Sequence, residues 1–229
     1  MTTQNKNKYQ KPLTTPKGIF SWPKLNRPDD KFNKENPVYS VNLILSGDGT
    51  AQLKAKLQPL FDAALEEAQE KFSAQPVPKQ KKKPLTINDY FEDEYDDEGE
   101  LTGNTIFKFK MNSTFTDQKT GDLVKRKPSL FDAKAKPFNP SVDIWSGTEG
   151  KVSFTTSGYF MPATGASGLS MRLKGAQIID LVTKGTGSAD SCGFGEEEGY
   201  DSTEASDGFG EETSSQSNDA STGDPEDDF

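Results

Sequence analysis

The chain has 229 residues and only 31% hydrophobic side chains, which suits one ordinary domain with polar extensions and excludes a large core spread over its whole length. Histidine is absent and Cys192 is the sole cysteine, so Ser–His and Cys–His mechanisms and an intramolecular disulfide are excluded. The net charge of −9 hides a segregation: residues 1–184 carry 27 bases against 22 acids, whereas residues 185–229 carry 14 acids and no base. A basic body with a purely acidic end points to a nucleic-acid partner. No run of about 18 apolar residues occurs, so no membrane span is expected. The polar start lacks a secretory core, and the lone cysteine fits a reducing cytoplasm.

In chain order, residues 1–18 read as a flexible arm. Ile19 to Trp22 starts a strand that Pro23 stops, and residues 24–36 read as loop. Val38 to Leu45 alternates, with Tyr39, Val41, Leu43 and Leu45 on the buried face. Ser46 to Thr50 is a turn, with Asp48 or Thr50 able to cap a helix over about 51–73. Leu53, Leu57, Leu60, Phe61, Ala64, Leu65, Ala68 and Phe72 form its apolar stripe, and Pro59 predicts a kink or restart. Residues 76–103 read as an insertion in loop form: a basic, proline-rich linker around Lys79 and Lys81 to Lys83, then eight acids between Asp89 and Glu100.

Thr105 to Thr116 is the clearest strand, with Phe107, Phe109, Met111 and Phe115 predicted to face inward. Asp117 to Asp122 is a hairpin turn in which Gly121 supplies positive φ. A return strand runs from Leu123, breaks at Pro128 and resumes through Leu130 to Lys136. Lys151 to Phe160 and Leu169 to Thr183 add two strands joined by a Gly165 to Gly168 turn. Five to seven strands with one inserted helix predict a mainly β fold, most simply a small closed barrel that hides its sheet edges. Beyond Gly185 the composition predicts disorder.

The alternation sends cations outward: Lys108 and Lys110, Lys125 and Lys127, Lys134 and Lys136, Lys151, and Arg172 with Lys174, together with Tyr159. Cations neutralise phosphates and rings stack on unpaired bases. The same alternation equally describes the solvated face of a half-buried sheet. Trp22 beside Lys24 and Arg27 is a further stacking candidate or a packing residue, and Trp145 reads as structural. Metal-site echoes are weak. Asp143 with Glu149-Gly150-Lys151 is too closely spaced for a nuclease centre, and the loop opening at Glu94 lacks the acidic twelfth position of a calcium loop. No cofactor or metal is expected, nor enzymatic activity.

Several stretches then stand together: Pro37 to Leu43 ahead of a long helix, Thr105 to Lys110 continuing through Asp117-Gln118-Lys119-Thr120, Lys151-Val152 with Tyr159, Thr164 to Ser167, and an acidic end closing on Phe229. Their order resembles the single-stranded DNA-binding proteins of short-tailed bacteriophages. The resemblance implies an oligonucleotide-binding (OB) β-barrel over residues 19–184, acting in phage DNA replication and recombination and in strand annealing in the cytoplasm of the infected host. It implies a binding face including Lys108, Lys110, Tyr159 and Arg172. It also implies that the tail, residues 185–229, contacts DNA polymerase and helicase-primase, with Asp224, Glu226, Asp227, Asp228 and Phe229 as the contact. Self-association into a homodimer stays open. The alternative is an acidic adaptor or DNA-mimicking regulator on a β-barrel scaffold.

Overall fold

The computed structural model describes residues 11–31, 34–117, 119–139 and 141–183. Its elements are β1 (Leu13–Thr14), β2 (Gly18–Asp29), β3 (Val38–Leu45), α1 (Gly47–Ser73), α2 (Val77–Lys82), β4 (Thr86–Asn88), β5 (Glu92–Tyr95), β6 (Leu101–Asn112), β7 (Thr114–Thr116), β8 (Leu123–Lys125), β9 (Ser129–Phe131), β10 (Glu149–Met161) and β11 (Ala166–Asp180). Strand pairings run β2–β3–β6–β11–β10 and return from β10 to β2, so five strands form a closed cycle. All these pairings are antiparallel except β6 with β11. Among the described residues, no helix is long and apolar enough to cross a membrane.

Alternation in the strands builds the core. Val41, Leu43, Phe107, Phe109, Val152 and Phe154 are wholly buried, and the Phe109 and Phe154 rings lie 4.8 Å apart. Helix α1 starts at Gly47, with Ser46 as its N-cap residue, and runs unbroken through Pro59. Leu53, Leu57, Phe61, Ala64 and Ala68 recur every three or four residues and are its buried face. That face meets β10, where Gly158 leaves room for the Ala64 methyl.

Several expectations need correction. Part of the supposed arm is folded: Leu13 and Thr14 pair with Phe154 and Ser153 on β10. Pro23 does not end β2, because register shifts between Ser21 and Lys24 and between Lys24 and Asp29 carry the strand past both prolines. The helix begins at Gly47 rather than Ala51. The basic linker contains α2.

The acidic segment is not loop either. β4 lies parallel to the start of β11, and β5 pairs antiparallel with β6. The Asp96 carboxylate accepts from the backbone N–H of Glu98 and Glu100, closing the β5–β6 turn. Tyr90, 5% exposed, anchors the segment on α1: its ring meets Phe61 edge-on at 5.0 Å and its hydroxyl donates to Gln58 Oε1 at 3.0 Å. Burial first, then Asp62 and Asp89, push the Tyr90 phenol above its ordinary value, so it stays a neutral donor.

The long central strand also breaks. At Ser113 the chain changes partner: its N–H continues the β3–β6 register onto Pro37, whereas its carbonyl accepts from the N–H of Arg126, and the alternation changes phase. Thr114 is buried in the place expected for Phe115, whose side chain is 41% exposed. β7 and β8 form a separate two-stranded arm whose turn has Gly121 at φ 78°. The return strand resumes only as β9. Asp132 to Lys136 is a turn in which Asp132 accepts from the N–H groups of Lys134 and Lys136. The last hairpin turns at residues 162–165, and Ala166 to Gly168 already belong to β11.

Candidate nucleic-acid interface

Across the outer face, strand register lines up one lateral row. Lys24 on β2 lies opposite Ser40 on β3, Ser40 opposite Lys110 on β6, Lys110 opposite Arg172 on β11, and Arg172 opposite Thr155 on β10. Directly paired residues project to the same face of a sheet, and strands are spaced about 4.8 Å apart, so Lys24 and Arg172 are separated by roughly 14 Å of backbone. Lys24, Lys110 and Arg172 are all exposed.

A second group lies beside this row. Lys108, Lys110, Tyr159 and Ser170 line one cleft of about 270 Å³, whose rim also holds Asp89 and Glu92. Lys108 Nζ lies 2.6 Å from the Glu92 carboxylate, and both side chains remain largely in solvent. Tyr159 is half-buried rather than free-standing: its hydroxyl accepts from Asn88 Nδ2 at 3.0 Å. The ring crosses Gly168, where an added Cβ would come within 2.7 Å of the Asn88 carbonyl and 3.0 Å of the Tyr159 hydroxyl. Glycine there allows the ring and β4 to approach, and Asn88 fixes the ring's direction.

Arg126 joins this face although the sequence reading passed it over. Its Nε donates to the Asn112 carbonyl at 2.8 Å, and its guanidinium stands 5.3 Å from the centre of the Phe115 ring. Burial first, then the charge of Arg172, push Arg126 below its ordinary value. Its parity opposite to Lys125 and Lys127 was visible in sequence, but its meaning depended on the break at Ser113.

Other candidates are dispersed. Lys125 and Lys127 are exposed on and just after the β7–β8 arm. Lys134 sits in the turn after β9, which is held to Gln177 near the far end of β11. Lys151 lies opposite Gln177, eight residues along β10 from Tyr159, or about 26 Å at strand rise. Trp22 is 75% exposed beside Lys24, and Trp145, expected to be structural, is 41% exposed. The α2 residues Lys79 and Lys82 line a different cleft with Lys83 and Phe160. Glu149 pairs with Lys17, which separates it from Asp143 in role. The tail residues Asp224 to Phe229 lie outside the described residues.

Residues 16–181 match the family described as "Single-stranded DNA-binding protein, Bacteriophage T7". The chain belongs to that family. The single-stranded DNA-binding protein of Enterobacteria phage T3 is 30% identical over 197 residues, covering 83% of this chain and 82% of that one. Its counterpart from Escherichia phage T7 is 32% identical over 99 residues, 43% of this chain and 42% of the relative. The crystal structure of gp2.5, a single-stranded DNA-binding protein encoded by bacteriophage T7, superposes with a TM-score of 0.63 at 24% identity, covering 84% of this chain and 98% of that one. That likeness establishes the fold, a mainly β OB architecture with an inserted helix. The family is one of binding proteins, not enzymes.

Proposed function

We propose that this protein binds unpaired DNA without sequence preference, holding phosphates on the Lys24–Lys110–Arg172 row and stacking a base on Tyr159. The observation that carries the reading is the register of Lys110 against Arg172, with Lys108 and Tyr159 on the same cleft. Two strands that pair in parallel bring residues 62 positions apart side by side, which chance alternation of lysines along single strands does not require. The cations supply a salt-sensitive, sequence-independent attraction. A ring whose tilt is fixed by Asn88 loses little freedom on stacking.

On this reading the protein coats and protects single strands during phage replication and recombination and promotes annealing, in the cytoplasm of the infected host. The acidic stretch 185–229 recruits DNA polymerase and helicase-primase through Asp224, Glu226, Asp227, Asp228 and Phe229. A terminal aromatic behind clustered acids suits a basic pocket with an apolar floor. Membership in the T7-type family and the basic body with its acidic end support this assignment.

The test is a titration of labelled oligo-dT and of duplex DNA at several salt concentrations. With about six phosphates neutralised, the log–log slope for single strands is expected near −4, and duplex should bind far more weakly. Equal affinity for duplex, or no binding at low salt, would overturn the proposal. A chain lacking residues 185–229 should bind DNA more tightly and no longer retain the polymerase in a pull-down.

A further inference from the structure

The lateral row does not stop at Lys24. Beside it, Trp22 has φ 49°, one of two positive-φ residues other than glycine among the described residues. L-residues with large side chains avoid that region, and the following Pro23 normally holds its predecessor extended. A tryptophan forced into such a backbone would ordinarily be justified by burial, yet this one is 75% exposed. The conformation is held from outside the strand: the Trp22 N–H donates to Ser146 Oγ at 3.0 Å, and the Gly147 N–H donates to the Phe20 carbonyl at 2.9 Å. The loop that pins Trp22 therefore also carries Trp145, and both rings line one cleft of about 290 Å³. Its lining contains two cations, Lys24 and Arg27, and one acid, Asp143.

We propose that the Trp22–Trp145 cleft is a second base-stacking station, which takes an unpaired base while Lys24 and Arg27 hold its flanking phosphates. The assignment rests on the Lys24–Lys110–Arg172 row as the path of the strand, and extends that path beyond Lys24, away from Tyr159. Strain in the backbone combined with an outward aromatic is the pattern of a residue positioned for a ligand rather than for the core. Aromatic faces beside cations match a base and its phosphate, and they do so for any base.

The two tryptophans are the only ones in the chain, which makes the site directly readable. In Trp145→Phe, Trp22 is the sole indole. Its emission should change when an oligo-dT of about 20 nucleotides saturates the protein. In Trp22→Gly the ring is lost but the left-handed backbone becomes unstrained. Affinity for the same oligonucleotide should fall by about 5- to 100-fold while Tm holds or rises. Trp22→Phe should recover part of that loss.

An unmoved Trp22 emission at saturation would overturn the station, as would parental affinity in Trp22→Gly. A lowered Tm in Trp22→Gly would show the ring to be packing and would overturn it too. If the parent protein binds the oligonucleotide normally in these experiments, only the station fails. If the parent does not bind, the strand path falls with it.

Discussion

Glu92 on β5 makes an ion pair with Lys108 on β6, 2.6 Å between carboxylate and ammonium, at the rim of the cleft that also holds Lys110 and Tyr159. The acidic insertion thus occupies one of the cations of the proposed binding face. Exposed pairs of this kind contribute only about 0.2–1 kcal/mol. Glu92→Gln should therefore raise single-strand affinity by roughly 2- to 5-fold at low salt, with the gain shrinking as salt rises. Unchanged affinity across the salt range would mean that Lys108 meets no phosphate.

Tyr159 combines a stacking surface with a hydroxyl anchor, and two substitutions separate them. Tyr159→Ala should weaken binding by about 1–3 kcal/mol. Tyr159→Phe keeps the ring and loses only the Asn88 hydrogen bond, so its effect on binding should stay near or below about 1 kcal/mol. Calorimetric titration of both variants checks this; equal losses would assign the role to the hydroxyl.

The break at Ser113 makes a stability prediction. Phe109 is wholly buried against Phe154, and Phe109→Ala should cost about 3–5 kcal/mol in denaturant unfolding. Phe115 is 41% exposed on the β7–β8 arm, so Phe115→Ala should cost less than about 1.5 kcal/mol. Comparable losses at the two positions would return Phe115 to the core.

Arg126 supplies a prediction at a position that sequence parity alone would not select. Arg126→Ala should weaken single-strand binding and reduce the magnitude of the log–log salt slope by about 0.7, the share of one phosphate. Fluorescence titration at four or more salt concentrations gives the slope; an unaltered value would remove Arg126 from the DNA path.

What was legible in the sequence follows from the range of the interactions involved. The period of two in Tyr39, Val41, Leu43 and Leu45 is local, and all four are buried as that alternation requires. The stripe from Leu53 to Ala68 is equally local and produced a helix despite Pro59. The misread places are those where a distant partner decides. Ser113 hands the chain from Pro37 to Arg126, Tyr90 is drawn from an acidic run onto Phe61, and the strand passes Pro23 where Ser146 holds the Trp22 N–H. Outward parity identified Lys110 and Arg172 as surface residues. That they are neighbours depends on the parallel register of β6 against β11, which no alternation within either strand encodes. Lys134 and Lys151 share the outward parity, and the register sets them near Gln177, along the strands from Lys110 and Arg172.

The most direct measurement is the salt dependence of oligo-dT binding by the double variant Lys110→Ala/Arg172→Ala beside the parent protein. Loss of two phosphate contacts should lower the magnitude of the log–log slope by about 1.4 and weaken binding most at low salt, with little change in Tm. A double variant that keeps the parental slope and affinity would contradict a strand path across this row.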